Sequence, residues 1–183
     1  MNRYATHRAQ RSFIALCAFL LVLPGKLWAG GVYEEPAAFL ARAFGKDLPE
    51  PQLLWLSDTQ QAAAADILGH RYASLRVRYW LSAGRGAWIL EEIGKEEPIT
   101  VGIVVGNEQG HSKIESVQVL EFRESRGDEV RHMFFTKRFK GAGLTEQLRL
   151  DRHIDNITGA SMSVRAMVKV ANLALYFHEQ VSR

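Results

Sequence analysis

The chain has 183 residues, 47% of them hydrophobic and 23% charged, with a formal net charge of +3. That size suits one compact domain with its own core. Its single cysteine, Cys17, excludes an internal disulfide, an iron–sulfur cluster and a thiolate zinc site.

The positive balance is local. Arg3, Arg8, Arg11 and Lys26 lie in the first 29 residues, and all 20 acidic residues lie beyond them. The remainder is close to neutral, so charge gives no argument for a nucleic-acid partner.

The N-terminus has the three parts of a secretory signal. Three arginines precede an apolar run from Ser12 to Pro24, and small residues follow at Ala29, Gly30 and Gly31. The run is shorter than the ~20 residues a membrane span needs. Residues 1–31 are therefore expected to be a signal peptide, with the mature protein in the periplasm, associated with the cytoplasmic membrane. The competing reading is a short uncleaved anchor. Cys17 sits inside the apolar run, after the bulky Leu16, which does not suit a lipoprotein cleavage site.

Residues 32–70 form an N-terminal helical segment in this reading. Ala37, Leu40, Ala41 and Phe44 keep helical spacing, and Gly45 then Pro49 end the pattern. Pro49 and Pro51 mark a linker. Ser57 with Gln60 makes a capping box for a second helix reaching about Leu68, with Ala62 to Ala65 in its interior.

Residues 71–183 form the main domain. Leu75, Val77 and Tyr79 alternate with polar neighbours, and turns at 82–86, 94–98 and 107–110 separate runs at 87–93, 99–105 and 114–122. That pattern is an antiparallel β-meander. Helices are expected at about 128–138 and 159–180, so the fold class is α+β, a meander with flanking helices.

The chemistry concentrates between Asp155 and Ser163, where Thr158, Gly159, Ala160 and Ser161 lead directly into the last apolar helix. A helix start offers free N–H groups and the positive end of the helix dipole, which suits a phosphate. The plainer reading is that Asp155 and Thr158 only cap the helix. Along that helix Ser161, Arg165, Lys169 and Asn172 share one face. Arg165 lies one turn from Ser161, and Ser163 points nearly the opposite way.

This segment resembles the flavinylation motif D-x-x-S/T-G-A-T/S of the FMN-binding domain family. The likeness extends over roughly residues 75–180. Runs 99–106 and 114–122 resemble that family's central hairpin. Arg123 to Gly127, containing Glu124, Ser125 and Arg126, occupies the place of its Glu-Ser/Thr-x-Gly turn, and Phe139, Lys140 and Gly141 match a later aromatic-basic-glycine segment. Two positions depart from the pattern, with Ser161 where threonine is commoner and Arg126 where proline is usual.

The resemblance implies FMN as cofactor, joined through its phosphate to Ser161 by a flavin transferase. It implies that Asp155 and Thr158 are read during attachment, with Gly159 and Ala160 leaving the approach clear. It also implies that the turn of Glu124, Ser125 and Arg126 lies near the isoalloxazine, where a cation would favour the reduced ring. Arg165 is expected to hold the phosphate. Trp80, Trp88, Phe134 and Phe135 are candidates for covering the ring or for the core.

The histidines show no ligand-spaced pair on one element, so no metal site is expected. Neither a dinucleotide fingerprint nor a P-loop is present, and no motif supplies a base for a Ser161-centred hydrolase. The expected function is an electron-transfer module, more an electron carrier than a stand-alone enzyme, working between a membrane redox protein and an extracytoplasmic acceptor. The alternative is a non-redox accessory module of a membrane complex with the same fold.

Overall fold

The computed structural model describes residues 30–182, so the expected signal peptide lies almost wholly outside the described residues. The fold is α+β. Six strands form one antiparallel sheet in the order β1-β6-β5-β4-β3-β2. They are β1 (Gly31–Val32), β2 (Gln52–Trp55), β3 (Arg76–Ser82), β4 (Arg85–Ile93), β5 (Pro98–Glu108) and β6 (His111–Phe122). The helices are α1 (Pro36–Phe44), α2 (Asp58–Leu68), α3 (Met133–Thr136) and α4 (Ser161–Val181).

Two hairpins are set by their turn residues. Ala83 and Gly84 have φ of 49° and 77° between β3 and β4, and Gln109 and Gly110 have φ of 53° and 83° between β5 and β6. Two consecutive left-handed residues match the twist of the flanking strands.

Strand alternation divides the core. Trp88 and Leu90 of β4 face α2 and α4, with Ile99, Val101, Ile103, Phe122, Met167, Val170, Leu173 and Phe177 in the same buried cluster. Ala87 of β4, Val104 of β5 and Leu120 of β6 point the other way, under Phe39, Leu40 and Ala43 of α1. The sheet centre is thus covered on both faces, and β5 is buried from Ile99 to Gly106. Gly102 is required there. A Cβ at that position would lie 2.7 to 2.9 Å from three ring atoms of Phe39.

Trp88 stacks on Tyr79 at 5.1 Å between centroids and tilts against Phe177 at 5.9 Å. Trp88 and Phe135 are core residues, Trp80 packs against the α1 cluster, and Phe134 is exposed.

The capping box at the start of α2 is present in both directions, Ser57 accepting from Gln60 N–H while the Gln60 side chain accepts from Ser57 N–H. The linker after Pro51 contains β2, a short edge strand paired with β3. The helix expected at 128–138 is broken into a 3-10 turn (Asp128–Arg131), α3, and a second 3-10 turn (Lys137–Phe139). The break falls at His132, whose backbone is extended. It allows Val130, Phe135 and Phe139 all to enter the core. No helix among the described residues is long and apolar enough to cross a membrane.

Candidate functional site

Helix α4 starts at an exposed Ser161, after a turn in which Ala160 N–H donates to the Ile157 carbonyl at 3.0 Å. Gly159 makes that turn possible with φ of +86° and open space around its Cα. The N-cap position is held by Ala160, and no side chain caps the helix. Asp155 and Thr158 therefore do not serve as its caps. Thr158 is exposed, and Asp155 is turned toward Arg138 at 3.4 Å and His153 at 3.8 Å. The first N–H groups of α4 are left for solvent or an anion.

From Ser161 a groove of about 460 Å³ runs along α4. One side is the helix itself, through Ser161, Val164, Arg165, Val168 and Asn172. The other is the loop carrying Arg149, Leu150, Arg152, His153, Ile154 and Asn156. That loop is closed by a Leu144–Leu150 bridge and by Asp151 N–H donating to the Gly143 carbonyl at 2.9 Å. Lys113 ties it to β6 with a 2.7 Å contact to Asp151. Partial burial pushes the Asp151 carboxyl upward. Lys113, the Gly143 N–H and Arg152 together outweigh that and hold it below the usual carboxylate range.

The groove's cations differ in availability. Arg152 donates to the carbonyls of Lys140 and Gly141 at 3.0 and 2.8 Å, which fixes the loop. Arg149 is shared between backbone carbonyls and Asp66 at 3.7 Å. Arg165 is exposed and has no ion-pair partner among the described residues. Lys169 shares the Ser161 face but is drawn aside to the buried Glu92 at 2.9 Å. His70 holds the same carboxylate through both oxygens, at 3.1 and 3.0 Å. The imidazole of His70 is raised above its usual value, first by the Arg71 carbonyl and then by Glu92.

Farther along the groove lies Asn172, only 2% exposed, whose Oδ1 has no hydrogen-bond partner. A buried unpaired polar atom costs about 1–3 kcal/mol, and Trp88 Nε1 in the core is likewise unpaired among the described residues.

The turn of Glu124, Ser125 and Arg126 is a separate element. Glu124 is 5% exposed, and its Oε1 accepts from the N–H groups of Lys95, Glu96 at 2.6 Å and Glu97 at 3.0 Å. It thereby closes the β4–β5 turn. Ser125 and Arg126 are exposed. Arg123 is engaged by Glu121, Thr100 and Glu91 at the sheet. Gly127, with φ of +89°, abuts the start of α4, and a Cβ there would lie 2.5 Å from Ser163 Oγ. The turn thus touches the helix start on the Ser163 side, away from the groove.

Of the residues singled out in the sequence, Ser161 and Arg165 meet in the groove, Asp155 to Ala160 form the loop leading to it, and Glu124 to Arg126 flank the other side of the helix. The far wall, Arg149 to His153, carries no sequence motif. Asn172 was visible as part of the polar stripe, but its missing partner was not.

The uncapped start of the last helix and the exposed guanidinium of Arg165 one turn on are features that suit a phosphorylated ligand. Residues 94–176 match the family model described as the FMN-binding domain; the chain carries an FMN-binding domain, and its cofactor is FMN. Comparison with curated proteins and with solved structures finds no match. The helix start and the exposed Arg165 one turn on fit the phosphate of the cofactor. Among the described residues no group of three or more His, Cys, Asp or Glu is arranged to hold a metal.

Proposed function

We propose that the protein is an exported flavoprotein that carries electrons, with FMN joined to Ser161 as a phosphoester. The observation that carries this reading is the position of Ser161, exposed as the first residue of an uncapped α4 and at one end of the groove. In the attachment step the Ser161 hydroxyl gives its proton to a base and its Oγ bonds to the phosphorus of an activated FMN, while the phosphoanhydride bond to the activating group breaks and that group leaves with the electron pair. No hydrogen-bond partner of that hydroxyl is present among the described residues, so the base and the activated flavin come from a partner, a flavin transferase. Asp155 and Thr158, both exposed, are within a surface such an enzyme reads.

Once the bond is made, the α4 N–H groups and Arg165 hold the phosphate. Bound FMN supplies transfer of one or two electrons. The exposed Ser125 and Arg126, close to the helix start, are assigned to tuning the ring's potential. The Arg3 to Gly31 segment supports export, and a membrane redox protein is the proposed donor.

The test is the intact mass of protein produced in cells that export it and contain a flavin transferase. The wild type is expected to carry one FMN, and Ser161→Ala to keep its fold and lose the covalent flavin. A Ser161→Ala protein still carrying the FMN mass would overturn the attachment site and point to Ser163.

A further inference from the structure

We infer that the open edge of β6 at residues 115–119 is a docking site for an extended acidic segment of a partner polypeptide. The site lies apart from Ser161 and does not depend on the attachment of FMN. On its outer side β6 pairs only with the two residues of β1, at Glu121 and Phe122. The Leu120 carbonyl accepts from the N–H groups of Tyr33 and Glu34, and Ile114 exchanges both of its backbone bonds with Gly141 and Ala142. Between those two ties the outer edge takes no backbone partner among the described residues. A strand places alternate N–H and C=O groups on each edge, so the gap is a row of unused donors and acceptors. Five residues at about 3.3 Å each give about 16 Å of edge, room for a segment of four or five residues.

A groove of about 400 Å³ opens on this gap. One wall is β6 from Glu115 to Gln118, and the other is built by Met133, Thr136, Lys137 and Lys140. The charges on the groove are not equally available. Glu115 is held by Arg85 at 2.6 Å, and Arg131 by Asp128 at 3.1 Å. Lys137 and Lys140 are exposed and have no ion-pair partner among the described residues. Lysines beside a free edge repel basic strands, including a second copy of this one with its own lysines. The same two ammonium groups attract an acidic strand, so they select the occupant as well as guard the edge. Backbone pairing would supply the affinity and the lysines the specificity, as in other cases of strand addition.

The probe is a capped peptide of about eight residues alternating glutamate and valine, titrated into the whole protein labelled with nitrogen-15. It should shift the amides of residues 115–119 to saturation and slow their exchange with water, because they gain partners. Lys137→Gln combined with Lys140→Gln should weaken binding about fivefold, and two exposed positions of this kind leave the fold intact. Methylating the backbone nitrogens of the peptide keeps its charge and should abolish binding, because the strand can no longer donate to the edge. Undiminished binding of the methylated peptide, or equal binding of a lysine–valine peptide, would overturn the docking site. So would the absence of saturable shifts at about 1 mM peptide. Protection of the same amides by phosphatidylglycerol vesicles and not by the peptide would overturn it too, and would make the groove a lipid-facing surface.

Discussion

Residues 94–176, which match the FMN-binding domain, and residues 30–93, which precede them, divide the molecule's work unequally. The first region holds β5, β6, the groove wall and nearly all of α4, hence every residue of the candidate site. The second contributes no groove residue, yet it holds the site's foundation. Helix α1 covers the outer face of β5 through Phe39 on Gly102. Trp88 of β4 packs against Phe177 of α4, and Gln60 of α2 reaches Gln180 at the end of the same helix. Site chemistry and site rigidity are therefore encoded in different stretches of chain, and a family match can cover the one without the other.

Substitutions should separate the two contributions. The largest effect is expected at Phe39, fully buried in the region outside the match. Phe39→Ala should lower stability by about 3–5 kcal/mol in urea unfolding while the folded fraction keeps its full ratio of flavin to protein. A loss of flavin per folded molecule would show that α1 also shapes the site.

Glu124→Ala comes next. Three backbone N–H groups lose their shared acceptor, and stability should fall by about 2–3 kcal/mol. Because the carboxylate closes a turn between β4 and β5, incorporation should persist. Unchanged stability with a displaced potential would move Glu124 from the frame to the cofactor.

Arg165→Ala should act in the opposite sense. With no ion pair to lose, stability should stay within about 0.5 kcal/mol of the wild type, while flavin incorporation falls about fivefold, equivalent to ~1 kcal/mol of phosphate contact. Equal incorporation, read from absorbance and mass on the same samples, would make Arg165 plain surface.

The smallest effects are in pH dependence, and they distinguish the regions by direction. Asp151, on the groove wall, has a lowered pKa. Its contribution is present above its ordinary value of 3.8 and is lost as pH falls through the lower folded value. His70, joining the N-terminal region to α4 through Glu92, has a raised pKa. Its contribution is present below 6.5 and is lost as pH rises through the folded value. Each should amount to less than about 1 kcal/mol, because both side chains are partly solvated. Urea midpoints against pH should flatten at the acid end in Asp151→Asn and at the alkaline end in His70→Ala.

What the sequence made legible follows the range of the interactions. The Ser57–Gln60 box, the Ala83–Gly84 turn and the polar stripe of α4 are set by neighbours within a few residues, and all three are present. Strand β2 was hidden between Pro51 and α2, because four mostly exposed residues on a sheet edge carry no buried alternation. The break at His132 was hidden because Phe135 and Phe139, four apart, suit a continuous helix as well as two short turns entering the core. Glu124 and the groove wall depend on partners 27 to 29 residues away in one case and on carbonyls 11 and 12 residues away in the other. No local pattern announces such contacts.

The double cover over β5 also sets the order in which the molecule comes apart. Its amides, from Ile99 to Gly106, are hydrogen-bonded to strands on both sides and roofed above and below, so they reach water only when the whole domain opens. Strand β2 and the Leu144–Leu150 loop are held by far fewer contacts and breathe independently of that event. The groove wall can therefore yield locally, while the sheet beneath it stays shut.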